Sequence, residues 1–174
     1  MKTLIHTCCA DCLLTCIRGL DIAPSDIYIY FYNPNIHPKS EYNERLKALK
    51  LVLEKYSLKD AKLIIPDYKP KEYFEAIPKS KKRCVHCWEL RLKNTFEYAA
   101  VNNIEAVTTT LLSSHYQNKK VIENIGNDLS REYNIKFIIP KIKNNTINKG
   151  FYKQNYCGCC YSLIEKMNEK YPLN

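Results

Sequence analysis

Glycine is scarce in this chain. Four occur in 174 residues, Gly19, Gly126, Gly150 and Gly158. They are too far apart to build a Walker loop or a G-x-G-x-x-G turn, whose glycines let backbone N–H groups approach a phosphate. Nucleotide activation and flavin or nicotinamide binding through such loops find no support, so redox chemistry would fall to a metal site. Long apolar runs are missing as well. No stretch approaches the roughly 18 residues that a membrane span needs, and Cys8 follows Met1 too soon for the apolar region of a secretory signal. The expectation is a cytoplasmic protein with no membrane partner. Arginine is the third shortage, with only five among 27 basic residues. The net charge of +9 suggests a polyanion such as nucleic acid. An A+T-rich genome would also impose this Lys-, Asn-, Ile- and Tyr-rich composition, so charge alone leaves both readings open.

What is abundant is cysteine. The length suits one domain over residues 1–174, and folding at this size buries roughly 70% of the unfolded chain's surface without covalent staples. Nine cysteines are therefore not needed to hold the fold. In a reducing compartment, clustered cysteines indicate metal or redox chemistry and not a disulfide framework. An odd number also excludes complete pairing. They fall into three groups: Cys8-Cys9-Ala10-Asp11-Cys12 with Cys16 one turn on, Cys84-Val85-His86-Cys87, and Cys157-Gly158-Cys159-Cys160. Buried structural thiols explain scattered single cysteines, but not three tight groups about 70 residues apart. A zinc site or an iron–sulfur cluster takes four thiolates. The surplus, with Asp11, could hold a second ion, iron or zinc by the softness of the donors.

Strand and helix patterns alternate. Strands are expected at Thr3–Thr7, Ile27–Tyr32, Lys62–Ile65, Ala106–Thr110 and Lys136–Ile139. Ser40 is expected to cap a helix whose apolar face is Tyr42, Leu46, Leu49 and Leu53. Trp88, Leu92, Phe96 and Ala99 mark a second helical face, Ile122, Ile125, Leu129 and Tyr133 a third, and a last helix runs from about Cys159 to Lys170. Pro70 to Pro78 brackets a short helix or loop, and Lys141–Lys149 reads as a polar loop. The pattern predicts an α/β fold, a mostly parallel sheet with helices on both faces. Ligands of such sheets sit beyond the carboxyl ends of the strands, where Cys8, Cys9, Asn33, Thr110 and Ser113 would converge.

At these residues the chain resembles the QueH family of epoxyqueuosine reductases. HTCCADC (6–12) is similar to H-x-C-C-A-P-C, and FYNPNIHPKSEYNERL (31–46) to Y-N-P-N-I-x-P with its following E-Y-x-x-R. CVHCWELRL (84–92) is similar to C-x-x-C-x-x-x-R-L, TTTLLSSHYQN (108–118) to T-T-T-L-L-x-S-P-Y-Q, and FYKQNYCGCCYS (151–162) to Y-R-Q-x-Y-C-G-C-x-Y-S. Asp11 replaces the usual proline, His115 another proline, and Lys153 the arginine; Cys16 and Cys160 look like extras. The resemblance implies a Rossmann-like fold related to the ATP-pyrophosphatase group, without that group's Ser-Gly-Gly loop. It implies a [4Fe–4S] cluster with an adjacent metal ion at the carboxyl edge of the sheet. The implied substrate is tRNA carrying epoxyqueuosine at the wobble position, from which two electrons and two protons remove the epoxide oxygen as water. An external electron donor is needed.

On that basis Cys9, Cys84, Cys87 and Cys159 are expected to hold the cluster, and Cys8, Cys12, Cys157 and Asp11 the second ion. A Lewis acid there would stabilise charge developing on the epoxide oxygen. Tyr116 and Asp11 are the catalytic candidates, Tyr116 as proton donor. Tyr32, Asn33, Asn35, Arg45, Arg91, Thr110, Ser113 and Gln117 are the expected substrate contacts, and Lys79, Lys81, Lys82 and Arg83 the contacts to the tRNA backbone. His37 is either a proton donor or a structural hydrogen bonder, His6 a satisfied core histidine, and His86 solvated or adjacent to the site. Two rival readings are an iron–sulfur-dependent tRNA sulfur-transfer enzyme and a structural zinc protein that binds RNA.

Overall fold

The computed structural model describes residues 1–56, 58–77, 82–114, 116–142 and 150–170. Five strands, β1 (Thr3–His6), β2 (Ile27–Tyr30), β3 (Lys62–Ile64), β4 (Ala106–Thr109) and β5 (Lys136–Phe137), form one sheet in the order β3-β2-β1-β4-β5. Every neighbouring pair is parallel, with Thr3 opposite both Ile27 and Ala106. Parallel neighbours need crossover connections. Helices supply them: α1 (Ala10–Arg18), α2 (Lys39–Lys55), α3 (Pro70–Ala76), α4 (Arg83–Val101) and α5 (Lys119–Tyr133), with α6 (Cys160–Lys170) closing the order.

Successive residues of β1 point to opposite faces, and each face has its own core. Leu4, fully buried, joins Trp88, Leu92 and Phe96 of α4 and Ile122 and Leu129 of α5. Ile5, equally buried, joins Leu13 and Leu14 of α1 and Tyr42, Leu49 and Val52 of α2. Helices therefore cover both faces, as the alternating pattern predicts. In α5, Gly126 lies so close to β5 that a Cβ would sit 2.2 Å from the Phe137 ring, so no larger residue fits without displacing that ring.

Several boundaries differ from expectation for visible reasons. The α2 helix starts at Lys39 with Pro38 as its N-cap, because the Pro38 carbonyl accepts the first helical bond from the Tyr42 N–H at 3.3 Å. Ser40 is thus inside the first turn and is not the cap. β4 ends at Thr109, whose Oγ1 accepts the Leu111 N–H at 3.1 Å and starts a 3-10 turn, Thr110–Ser113. β2 ends at Tyr30 although Phe31 N–H still reaches the Ile64 carbonyl. Residues 78 and 143–149 lie outside the described residues.

The strand order reverses between β1 and β4, since the chain runs outward from β1 to β3 and then returns to β4. At such a switch point the loops diverge and leave a crevice at the carboxyl ends of the strands.

Candidate metal centre and active site

The loop after β1 reaches that crevice at once. Cys8 is buried, and its N–H donates to Thr110 Oγ1 at 3.2 Å, with the sulfur 3.5 Å from the same oxygen. The 3-10 turn after β4 therefore fixes the first cysteine. Cys9 follows in extended geometry as the N-cap of α1, and its sulfur accepts the Cys12 N–H at 3.3 Å. That turn brings the sulfurs of Cys8, Cys9 and Cys12 within 4.8 Å of one another, and Cys9 and Cys12 are paired as a disulfide. Asp11, in the first turn of α1, pairs through Oδ2 with Lys153 at 3.3 Å. Its Oδ1 is buried with no partner among the described residues.

The second and third groups meet each other. Cys84 and Cys87 lie on the first turns of α4, one exposed and one buried. Cys157 and Cys159 precede α6 with sulfurs 3.7 Å apart, and Cys87 and Cys159 share one buried cluster with Tyr73 and Ile77. The Tyr73 hydroxyl bonds to Cys159, as do the backbone N–H of Ser162 at 3.3 Å and its hydroxyl at 3.4 Å. Hydrogen bonding within the Cys157–Cys159 pair pushes the Cys157 thiol up and the Cys159 thiol down. Burial pushes Cys87 up to about 11, opposed by Arg91 beside it. Cys16 is fully buried on α1, with a thiol pushed up to about 12 by burial. That fits an inert core thiol.

The loop carrying Cys157 is held by α2. Arg45 and Glu41, both buried, pair at 2.6 Å. Arg45 also donates to the carbonyls of Cys157 at 3.1 Å and Tyr156 at 3.4 Å, while Tyr152 donates to Glu41. Gly158 has φ +115°, and a Cβ there would lie 3.1 Å from Arg45 Nη1. Glycine serves both the left-handed backbone and the close approach of the guanidinium.

A cavity of about 110 Å³ opens over these groups. Cys8, Cys9, Cys12, Cys157 and Asp11 line it, together with Arg45, Ser113, Tyr116 and Gln117 from the expected set. Tyr116 is 42% exposed on its wall. The Gln117 side-chain oxygen accepts from Trp88 Nε1 at 2.6 Å, and Ser113 Oγ is buried without a partner among the described residues.

Other expected contacts lie elsewhere. Tyr32, Asn33 and Asn35 are buried and do not line the cavity. Tyr32 donates to Glu72 at 2.6 Å, and Asn33 Nδ2 to the Thr7 carbonyl at 2.8 Å, so they brace the loop after β2. Thr110 holds Cys8 and is itself fully buried. Arg91 lies inside α4's packing at 3% exposure. Lys82 caps α4, and Arg83 pairs with Glu165; Lys79 and Lys81 lie outside the described residues. The expected division of ligands also looks different in space. Cys9, expected beside Cys84, Cys87 and Cys159, sits with Cys8 and Cys12, and Cys157 sits beside Cys159.

His6 is the buried core histidine that the sequence suggests. Its Nε2 faces the Tyr32 carbonyl at 3.1 Å and so carries the proton, leaving Nδ1 to accept from Thr109 Oγ1 at 2.9 Å. Burial, and then Arg91, pull its pKa down to about 3. His37 Nδ1 accepts the Cys160 N–H at 3.4 Å while its ring stacks on Phe74. Tyr73, Ser162 and Glu41 are not among the site residues expected from the sequence, although Glu41 and Ser162 fall within its motifs. Tyr73 has no local signal, because its partner is 86 positions away, whereas Glu41 and Arg45 carry the i,i+4 spacing of a helical ion pair.

The free thiols of Cys8, Cys84, Cys87, Cys157 and Cys159, drawn from all three groups, fit a thiolate-bound metal group, and the buried Arg91 charge acts on each of them; Cys9 and Cys12 join that set only once their disulfide is reduced. The family model described as "Epoxyqueuosine reductase QueH" matches residues 3–165. A relative of that name from Thermotoga maritima is 35% identical over 94% of this chain and 91% of its own length. One from Dehalococcoides mccartyi is 28% identical over 97% and 96%, and one from Staphylococcus epidermidis 29% identical over 95% and 77%. With the match running from β1 into α6 and taking in every cysteine group, this chain belongs to the QueH family of epoxyqueuosine reductases.

Proposed function

We propose that the chain, as one catalytic domain over residues 1–174, reduces epoxyqueuosine to queuosine in tRNA. The epoxide carbons take up two electrons, both C–O bonds break, and the oxygen leaves with two protons as water, giving the alkene. Three cysteine groups would hold a [4Fe–4S] cluster and a second ion, iron or zinc, through Cys8, Cys9, Cys12, Cys84, Cys87, Cys157 and Cys159, with Asp11 as a further ligand. When bound, these groups supply electrons singly and Lewis acidity at the departing oxygen.

The chain's own residues prepare the rest. Arg45 and Gly158 hold the Cys157 loop against the cavity. Tyr116, on the cavity wall, is placed to donate a proton to the leaving oxygen, and Ser113 and Gln117 to accept or donate hydrogen bonds to the substrate. The run Lys79 to Arg83 would meet tRNA phosphates, which position a partner without reading its sequence. The electrons come from an external donor, and the reaction belongs in the cytoplasm. Among the described residues no helix is long and apolar enough to cross a membrane.

The observation that carries this reading is the family match over residues 3–165, which includes all the proposed ligands. The test is anaerobic. Reconstituted protein, a low-potential reductant and tRNA bearing epoxyqueuosine are incubated, and the digested nucleosides are weighed. The expected product is lighter by one oxygen. Its absence from a preparation holding iron and acid-labile sulfide would refute the reductase reading, and a colourless preparation holding zinc alone would favour a structural zinc protein.

A further inference from the structure

Arg91 is a buried cation without an acid. It lies on α4, one turn past Cys87, and is 3% exposed. Its Nε donates to the Cys87 carbonyl at 3.1 Å, and the guanidinium also bonds the Cys87 side chain. None of the ion pairs among the described residues includes it. Thr95 donates to its backbone carbonyl and leaves its charge untouched. The ionisable groups its charge acts on include His6, held neutral, and the thiols of Cys87, Cys8, Cys157, Cys159 and Cys84.

A guanidinium does not give up its proton in a protein, and a buried charge without a counter-charge is strongly destabilising. The fold tolerates Arg91 because it anticipates negative charge at the sulfurs. Without metal only Cys159 among them is pushed toward the thiolate, whereas metal binding would make every ligating sulfur one. Arginine suits the place better than lysine, being more weakly hydrated and able to direct a fork of donors at several sulfurs.

Resting on the metal reading above, we infer that Arg91 is the fixed counter-cation of the cysteine-held metal group and sets its reduction potential. Each electron added makes the thiolate-ligated group more negative. A cation fixed beside Cys87 favours the reduced form. Arg91 is thus a positioning and tuning residue and not a substrate contact, which explains why it is sealed away from the cavity.

The test uses the full chain, anaerobically reconstituted, as wild type, Arg91→Met and Arg91→Lys. Methionine keeps the volume and removes the charge; lysine keeps the charge. Potentials are read by a redox titration followed by electron paramagnetic resonance. Arg91→Met should shift the one-electron equilibrium at least tenfold toward the oxidised form, about 59 mV lower, and Arg91→Lys should stay close to wild type. Heat unfolding of the chelated, metal-free proteins gives a second readout of opposite sign. There, Arg91→Met should melt higher than wild type, because the uncompensated charge is gone. A merely structural arginine would lower the melting point of its Met variant with and without metal. If Arg91→Met fails to load iron while Arg91→Lys loads it, the charge requirement is upheld. An unchanged or raised potential in Arg91→Met, loss of iron in both variants, or a lower melting point for metal-free Arg91→Met would overturn the assignment. Absence of iron from the wild type would instead overturn the metal reading itself.

Discussion

The Glu41–Arg45 pair predicts a separation between stability and metal content. Replacing Arg45 by Met leaves the Glu41 carboxylate, whose residue is 6% exposed, with only the Tyr152 hydroxyl for a partner. Breaking one side of a buried ion pair costs about 3–5 kcal/mol. The lost bonds to the Tyr156 and Cys157 carbonyls add less, because that loop is close enough to the cavity for its carbonyls to turn toward water. A chain of this length loses roughly 2–4 °C of melting temperature per kcal/mol, so a fall of about 6–20 °C is expected in the chelated protein. Removing both charges, as Glu41→Leu with Arg45→Met, should return most of that stability, since a buried pair is often replaceable by apolar residues of similar volume. It should not return the iron, because nothing then holds the Cys157 carbonyl. Urea unfolding of the chelated proteins and iron content after reconstitution give the two readouts. A single-variant loss under about 1 kcal/mol, the size of an exposed pair, would refute the buried-pair reasoning. Full recovery of iron in the double variant would refute the loop clamp.

Three further outcomes are expected. Cys84→Ala and Cys87→Ala should each lower iron content by elemental analysis while Cys16→Ala leaves it intact; equal loss in all three would show that position on α1 does not separate ligand from core thiol. Neutralising Lys79, Lys81 and Lys82 to Gln should flatten the dependence of tRNA affinity on salt, by roughly 0.7–0.9 in log–log slope for each phosphate no longer neutralised, and an unchanged slope would mark the run as a solvated loop. For His6, whose pKa is lowered to about 3 in the fold, the unfolded chain binds the extra proton below about pH 6.5. Stability of the chelated protein should therefore fall as pH drops through 6.5 toward 3, by up to about 1.4 kcal/mol per unit, with no such contribution above 6.5. Urea midpoints between about pH 7 and 5 should fall less steeply for His6→Gln; parallel slopes would show that His6 titrates freely.

The two-faced sheet was legible because β1 and β2 are short apolar runs, with Leu4 and Ile5 entering opposite cores, and the helices keep a 3.6 period, as Trp88, Leu92, Phe96 and Ala99 demonstrate. The cysteine groups were legible from spacing alone. Arg91 was not. Positions 84, 87, 91 and 95 form a second stripe on α4 beside the core stripe, and sequence spacing cannot tell whether such a stripe meets water. Along it Cys84 is exposed, whereas Cys87 is buried in a cluster with Tyr73, Ile77 and the distant Cys159, and Arg91 one turn on is buried as well. The placement of Tyr32, Asn33 and Asn35 was hidden for a related reason. Polar and aromatic residues after a strand suit a binding loop, but here Glu72 on α3 takes the Tyr32 hydroxyl and the Thr7 carbonyl the Asn33 amide, while the side-chain oxygens of Asn33 and Asn35 are buried with no partner among the described residues.

The shortage of glycine and the surplus of cysteine meet at one turn. In a parallel sheet, the helix after the central strand offers its free N–H groups and its positive end to an anion, and a glycine-rich turn lets a phosphate come close enough to accept them. Here the β1–α1 turn uses the same N–H groups internally. Cys8 N–H goes to Thr110, and Cys12 N–H goes to the sulfur of Cys9 at the N-cap. With those N–H groups engaged, the turn has few donors left for a phosphate. The positive end of α1 lies at Cys9 and Cys12, and from α4 the Arg91 charge acts on Cys8 of the same loop and on Cys87, Cys157 and Cys159. Two fixed positive sources thus act on sulfurs from three loops, an arrangement that suits the anionic metal group proposed above.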